Sequence, residues 1–272
     1  MSAASEWTPE LLKRCCATAY EGDWVRLLLG DSFHPGGRGL TRRLAEAMTL
    51  RRGERVLDVA SGAGSTTVLL ARGFGVTVEG VDLSERSVEG ARHRAAEAGL
   101  DGVVRFMVGD AERLPVADRS VDAVVCECSL CLFPDKETAV GELSRALRAG
   151  GRVGITDVVA DQAELPEELR GIAAHVACVG DARSLGEYAA LLENAGLRVN
   201  RVENHAWALD ELIDRVVARL TALEMLDLPS ISGVNLDNAR RLLSVAAQAV
   251  RVGTVGYALL VAERPSSEAG AE

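Results

Sequence analysis

Six cysteines fall in an uneven pattern: Cys15-Cys16, then Cys126-x-Cys128-x-x-Cys131, then Cys178. Thiolates are soft ligands and good nucleophiles, so thiols gathered at one place could hold a thiophilic centre. Free cysteine is also a common small core residue, and packing alone accounts for any single one. Tetrahedral zinc ranks lower, because Cys126 and Cys128 on one strand form a poor chelate. A second set consists of acids and glycines: Asp58, Gly62 and Gly64 in RVLDVASGAGST, Asp82 at 20 residues beyond Gly62, and Asp110-Ala111 in GDAERLP. Glycine accepts φ > 0 and carries no side chain to hold the backbone away from a ligand. An acid closing the second strand is placed to accept hydrogen bonds from ribose hydroxyls. The dinucleotide fingerprint wants Gly or Ala at its third small position, and Thr67 stands there instead. His34, in a GDSFHPGG loop, could approach a substrate or make an ordinary hydrogen bond.

These residues need elements to hold them. Thr8-Pro9-Glu10 reads as a helix start, with Thr as N-cap and Pro at the first position. It predicts a helix from Pro9 to about Tyr20, followed by a short one from Asp23 to Leu29 and another from Leu40 to Met48. Apolar β-prone runs predict strands at Val56–Val59, Val76–Val81, Val103–Val108, Val121–Cys126, Arg152–Val159, Leu197–Ala206 and Val255–Glu263. Helices are predicted between them at Thr66–Arg72, Glu85–Ala98, Asp135–Ala149 closed by Gly150-Gly151, and Ser184–Ala195. Pro166 starts one more, reaching towards Cys178, while Asp210–Leu226 and Leu236–Val250 read as a partial helical lid. Repeated strand–helix alternation means a mostly parallel sheet covered on both faces, with the last pair of strands antiparallel. On the fourth strand, alternation puts Cys126 and Cys128 on one face and Glu127 on the other, provided the strand runs that far.

Composition sets the outer bounds. Apolar residues make up 48% of 272, enough for a substantial core. A net charge of −10 argues against a nucleic-acid partner, and the pairs Arg42-Arg43 and Arg51-Arg52 are too short to reverse it. No apolar run reaches the roughly 18 residues that would span a bilayer. The start, MSAASEWTPE, does not read as a signal peptide, so the expectation is a cytoplasmic protein with free thiols.

Together, VLDVASGAG, VEGVDLS, GDAERLP, the strand Val121–Val125 and LRAGGRVGITD resemble the class I S-adenosylmethionine-dependent methyltransferases. The resemblance implies an α/β fold: a Rossmann-like, seven-stranded, mostly parallel sheet with N-terminal helices and a small helical lid. It implies S-adenosylmethionine as cofactor, with Asp58, Gly62 and Gly64 around its methionine part. Asp82 would bind the ribose, Leu83 would lie on the adenine, and Asp110 and Ala111 would meet the adenine edge. The domain reading is an N-terminal cap at 1–50, a methyltransferase domain at 51–264 with a lid insertion at about 208–251, and a tail at 265–272.

A narrower resemblance starts at Cys128, with Pro134-Asp135-Lys136 six residues on, and continues through ITDVV, LPEELR and CVGDA. This is similar to the arsenite methyltransferases. It implies that Cys128 and Cys178 bind trivalent arsenic as substrate, with a thiol reductant as a possible partner. That family's third cysteine, before the first strand, has no counterpart in the GDSFHPGG loop, which leaves Cys15, Cys16, Cys126 and Cys131 as candidates. A small-molecule C-, N- or O-methyltransferase acting on an organic acceptor is the alternative, with the thiols merely lining its pocket. A cofactor- or metalloid-binding module without turnover is the third possibility.

Overall fold

A computed structural model of the protein describes residues 8–30, 33–225 and 236–266. The sheet is built from β1 (Arg55–Val59), β2 (Thr77–Asp82), β3 (Val104–Val108), β4 (Val121–Glu127), β5 (Leu147–Ala160), β6 (Arg198–Asn204) and β7 (Val255–Glu263). Its seven strands run in the order β3-β2-β1-β4-β5-β7-β6. β1 to β5 are parallel, and β7 lies antiparallel to both β5 and β6. The Rossmann-like sheet expected from the sequence is therefore present. β4 is buried along six of its seven residues because it is central, with β1 on one side and β5 on the other.

Ten helices are described: α1 (Pro9–Glu21), α2 (Asp23–Leu29), α3 (Gly37–Ala47), α4 (Ser65–Phe74), α5 (Glu85–Glu97), α6 (Lys136–Ala146), α7 (Ile172–Val176), α8 (Leu185–Asn194), α9 (Ala206–Met225) and α10 (Leu236–Val252). They cover the two faces of the sheet and divide the core in two. One layer gathers Leu40, Leu44, Met48, Leu70, Phe106, Val125, Val158 and Leu259; Cys131 and Cys178 belong to it. The other gathers Leu57, Val59, Val124, Cys126, Leu143, Ile155, Tyr188 and Leu260. None of the described helices is long and apolar enough to cross a membrane.

Some expected boundaries move. The helix predicted to end at Gly150-Gly151 stops at Ala146, and those glycines lie inside β5. Leu147 already pairs with Val121, and a Cβ at Gly151 would come within 2.8 Å of the Arg148 carbonyl, so close backbone approach explains the glycine. The helix expected after Pro166 is a single 3-10 turn, Glu167–Leu169, followed by the five-residue α7. Arg170 folds back onto the carbonyls of Gln162 and Leu165, which closes the turn before it can lengthen. α9 and α10 pack on each other and on β7. Residues 31–32 of the loop before α3, Leu226, and the tail beyond 266 lie outside the described residues.

Candidate active site

At the carboxyl ends of β1, β2 and β4, where open α/β sheets take their ligands, lies a cavity whose space, with the open solvent at its mouth, comes to about 1110 Å³. Asp58, Ala60, Ser61, Gly62, Ala63, Ser65 and Thr66 line it from the β1 turn, and Asp82, Leu83, Ser84 and Ser87 from the end of β2 and the start of α5. The end of β4 adds Glu127, Cys128, Ser129, Leu132 and Phe133. The cover is α1, through Lys13, Cys16, Ala17 and Tyr20, together with Phe33 and His34. Residues of α9 and α10, expected as a lid, are not among these.

The turn after β1 is shaped as a cradle. Ala60, Gly62 and Gly64 all have positive φ. The Gly62 N–H donates to Asp82 Oδ2 at 2.8 Å, and the Ser84 N–H donates to Oδ1 at 2.9 Å. A Cβ at Gly62 would meet nothing within 4 Å, whereas one at Gly64 would lie 2.8 Å from Phe106. Gly62 therefore borders the open space, and Gly64 is required by packing. The Ser61 hydroxyl is buried with no partner, an unspent polar group beside the cavity. Asp58 accepts from Thr67 Oγ1 at 2.5 Å, and burial, reinforced by the fields of Glu127 and Asp82, pushes its carboxyl up to about 7. Burial also raises Asp82, against the hydrogen bonds from Ser84 and Gly62. Acids short of positive charge, a hydroxyl without a partner and an open glycine turn suit a cationic ligand carrying ribose hydroxyls. Asp110 and Ala111 lie outside the lining, but Lys13, which lines the cavity, donates to Asp110 at 2.8 Å and to Glu112.

The thiols sort into different places. Cys128 was expected to share a face with Cys126, but β4 stops at Glu127 and Cys128 turns away with φ 52°. The reversal carries Cys128 against the layer that holds Cys131 and Cys178. Cys126 stays behind in the opposite layer, beside Ser129 at 3.3 Å, and burial raises its pKa. Cys178 also sits in the left-handed region, with φ 67°. Its sulfur lies 3.5 Å from the Cys128 carbonyl and 3.4 Å from the Tyr20 hydroxyl. Hydrogen bonds from the Cys128 and Cys131 thiols, working against burial, hold Cys178 well below the usual thiol range. The partners shift upward: Cys128 through its bond to Cys178 and then burial, Cys131 through burial first. Cys16 lines the cavity, and burial pushes it up to about 12; Cys15 is half-buried. Among the described residues no group of three or more His, Cys, Asp or Glu side chains is arranged to hold a metal ion, so the thiols are not a preformed zinc site.

Sequence reasoning missed Glu127. The end of β4 directs its side chain inward, where it accepts from Thr41 at 2.9 Å, Thr66 at 2.7 Å and Thr156 at 3.3 Å. His34 Nε2 is 3.6 Å from the same carboxylate and 3.2 Å from Thr41 Oγ1, and Nδ1 lies 3.1 Å from the Pro35 carbonyl. Lys13, Ala17 and Tyr20 were also missed, although their spacing of four and three marks one helical face.

Residues 50–196 match the profile of the methyltransferase domain, over half of the chain. The chain belongs to the methyltransferase-domain family. Its sheet is that of the class I S-adenosylmethionine-dependent members. Methyltransferase GfsG of Streptomyces halstedii is 36% identical over 170 residues, 61% of each chain. An arsenite methyltransferase of Halobacterium salinarum is 37% identical over 152 residues, 53% of this chain and 37% of that one. The matches thus span less than two thirds of these relatives' length. Among solved structures, a protein described as a sarcosine dimethylglycine methyltransferase from Galdieria sulphuraria superposes with a TM-score of 0.81 at 20% identity, over 92% of this chain and 99% of that chain.

Proposed function

We propose that this methyltransferase uses S-adenosylmethionine to methylate a trivalent arsenical held by Cys128 and Cys178. One observation carries the reading: two cysteines from separate segments, both in left-handed backbone, meet with Cys128 on the cavity wall and Cys178 buried behind it. Positive φ at a non-glycine residue is costly, and such strain gathers at functional sites. The cradle of Asp58, Ser61, Gly62 and Asp82 would hold the cofactor, with Leu83 beside it. When bound, S-adenosylmethionine supplies an electrophilic methyl group on a sulfonium.

The rest falls to this chain's own residues. Each thiol exchanges with an arsenic hydroxyl, forming As–S and releasing water, and the thiol proton leaves in that water. Cys178 is the thiol most ready to react, because Cys128 and Cys131 stabilise its thiolate. Of the candidates for a third thiol, Cys131 is the one beside Cys178. Trivalent arsenic keeps a lone pair, so no side chain has to remove a proton before the methyl is accepted. His34 is not held ready as a base, since both its ring nitrogens already face protein partners. What remains is to hold the acceptor in line with the methyl group.

Tyr20, Phe33, Leu132 and Phe133 line the same cavity, and this apolar wall favours a second reading, an organic acceptor methylated on oxygen, nitrogen or carbon. S-adenosylhomocysteine release separates the two. With arsenite or methylarsenite plus glutathione, we expect turnover by the wild type and a loss of at least about 100-fold in Cys128→Ser and in Cys178→Ser, the scale expected when a soft ligand is replaced by a hard one. Turnover of an organic acceptor that survives both changes, with none on arsenicals, would establish the second reading instead.

A further inference from the structure

The lysine of Pro134-Asp135-Lys136 has no part in the chemistry above, yet its side chain is only 2% exposed. Its Nζ donates to the Phe133 carbonyl at 2.9 Å and to Asp181 Oδ2. Phe133 lies two residues beyond Cys131, and Asp181 three beyond Cys178. Lys136 thus joins the two segments that carry the thiols. Asp135 caps α6 by accepting from the Thr138 N–H at 2.9 Å, which fixes the helix start from which Lys136 reaches back. The Cys178 segment is itself tightly wound: the N–H groups of Val179 and Gly180 both donate to the Ala174 carbonyl at 2.9 Å, and a Cβ at Gly180 would lie 2.6 Å from the His175 nitrogen. The segment is thus bonded to itself, and Asp181 is where Lys136 holds it. Apart from the sulfur contacts, the Lys136–Asp181 pair is the polar side-chain link between residues 128–136 and 174–183 among those described.

We propose that the Lys136–Asp181 ion pair is a positioning device that sets the spacing of Cys128 and Cys131 from Cys178. The proposal rests on the reading that these thiols capture the acceptor, and it assigns to this chain a residue pair on which that capture depends. Two sulfurs can bridge one arsenic only at a narrow range of separations, so a drifting Cys178 segment loses the chelate while leaving each thiol in place. Residues that orient ligands in this way typically change affinity by about 10- to 100-fold. A buried lysine left without its partner is costly, whereas methionine fills the same space without charge.

The test is binding of phenylarsine oxide, which needs two thiols, by the full chain as wild type, Lys136→Met and Lys136→Arg, with S-adenosylhomocysteine binding as the second readout. We expect Lys136→Met to bind phenylarsine oxide roughly 10-fold or more weakly, S-adenosylhomocysteine as the wild type does, and Lys136→Arg to recover much of the difference. Wild-type capture by Lys136→Met, or a parallel loss of both ligands, would overturn the proposal. Should Lys136→Met fail to fold, the double change Lys136→Met with Asp181→Asn, which removes both charges of the pair and leaves Arg183 to Glu187, gives the same comparison. Absence of arsenical turnover in a wild type whose capture still depends on Lys136 would sink the methylation reading and leave this one standing.

Discussion

Gly62 and Gly64 share one turn, yet a methyl group added at each would meet different surroundings. Both are left-handed, with φ 51° and 78°, so alanine at either carries a backbone cost of about 1–2 kcal/mol. At Gly64 the new Cβ also lies 2.8 Å from Phe106 and 3.0 Å from Ala91, both buried, and overpacking adds about 1–3 kcal/mol. At Gly62 it enters open space on the cavity wall. Gly64→Ala should therefore be the less stable variant in urea unfolding. Gly62→Ala should lose affinity for S-adenosylhomocysteine by roughly tenfold, about 1.4 kcal/mol of displaced contact, in calorimetric titration. Unchanged affinity in Gly62→Ala would mean that the space beside it is not ligand space. The sequence marked both glycines alike because spacing records where a side chain is excluded, not what excludes it.

The elements divide by how local their causes are. β1, β2, β4 and α5 follow from apolar runs and caps within a few residues, so their existence was legible. The turn at Cys128 was not, since a left-handed residue other than glycine leaves no composition signal and the strand's end there depends on its neighbours. Its partner Cys178 came into view only through the resemblance, 50 residues away in sequence. The N-terminal helices were expected as a cap, but what fastens α1 was not legible, because its fastenings are all distant. Lys13 in α1 reaches Asp110 and Glu112 beyond β3, Glu21 accepts from Ser84 at 2.5 Å beyond β2, and Tyr20 donates to the Val176 carbonyl at 2.9 Å in the Cys178 region. An ion pair of partly exposed groups is worth about 1 kcal/mol or less, so Lys13→Ala should leave global unfolding almost unchanged. It should still loosen the helix locally, and amide exchange across 9–21 should quicken several-fold while the sheet keeps its protection. Equal exchange in both proteins would show that α1 is held by its apolar face alone.

Across the whole molecule, the carboxylates at the cavity and those at the outer seams respond to pH in opposite senses. Burial, with the fields of Glu127 and Asp82, raises Asp58 to about 7. At the seam between α3 and β6, hydrogen bonds from Arg43, then from Arg201 and His205, outweigh burial and hold Glu203 down at about 2. Because its folded pKa lies below the ordinary 4.5, Glu203 contributes stability that is fully present above about pH 4.5. That contribution fades as pH falls from there through about 2, when the folded carboxylate is finally protonated and the Arg43 bridge is lost. The carboxylate is 20% exposed, so solvent screens the bridge and the contribution stays near the size of a partly exposed ion pair, about 1 kcal/mol. Arg43 sits on the helix that supplies Leu40 and Leu44 to the core, so loss of the bridge should register in global unfolding and not only in fraying at the β6 edge. Glu203→Gln keeps the shape and removes the ionisation. Urea midpoints measured between pH 6 and 2 should fall more steeply for the wild type than for Glu203→Gln, the two curves converging near pH 2. Parallel curves across that range would show that the seam is held by packing and that the acid sensitivity of the fold lies elsewhere.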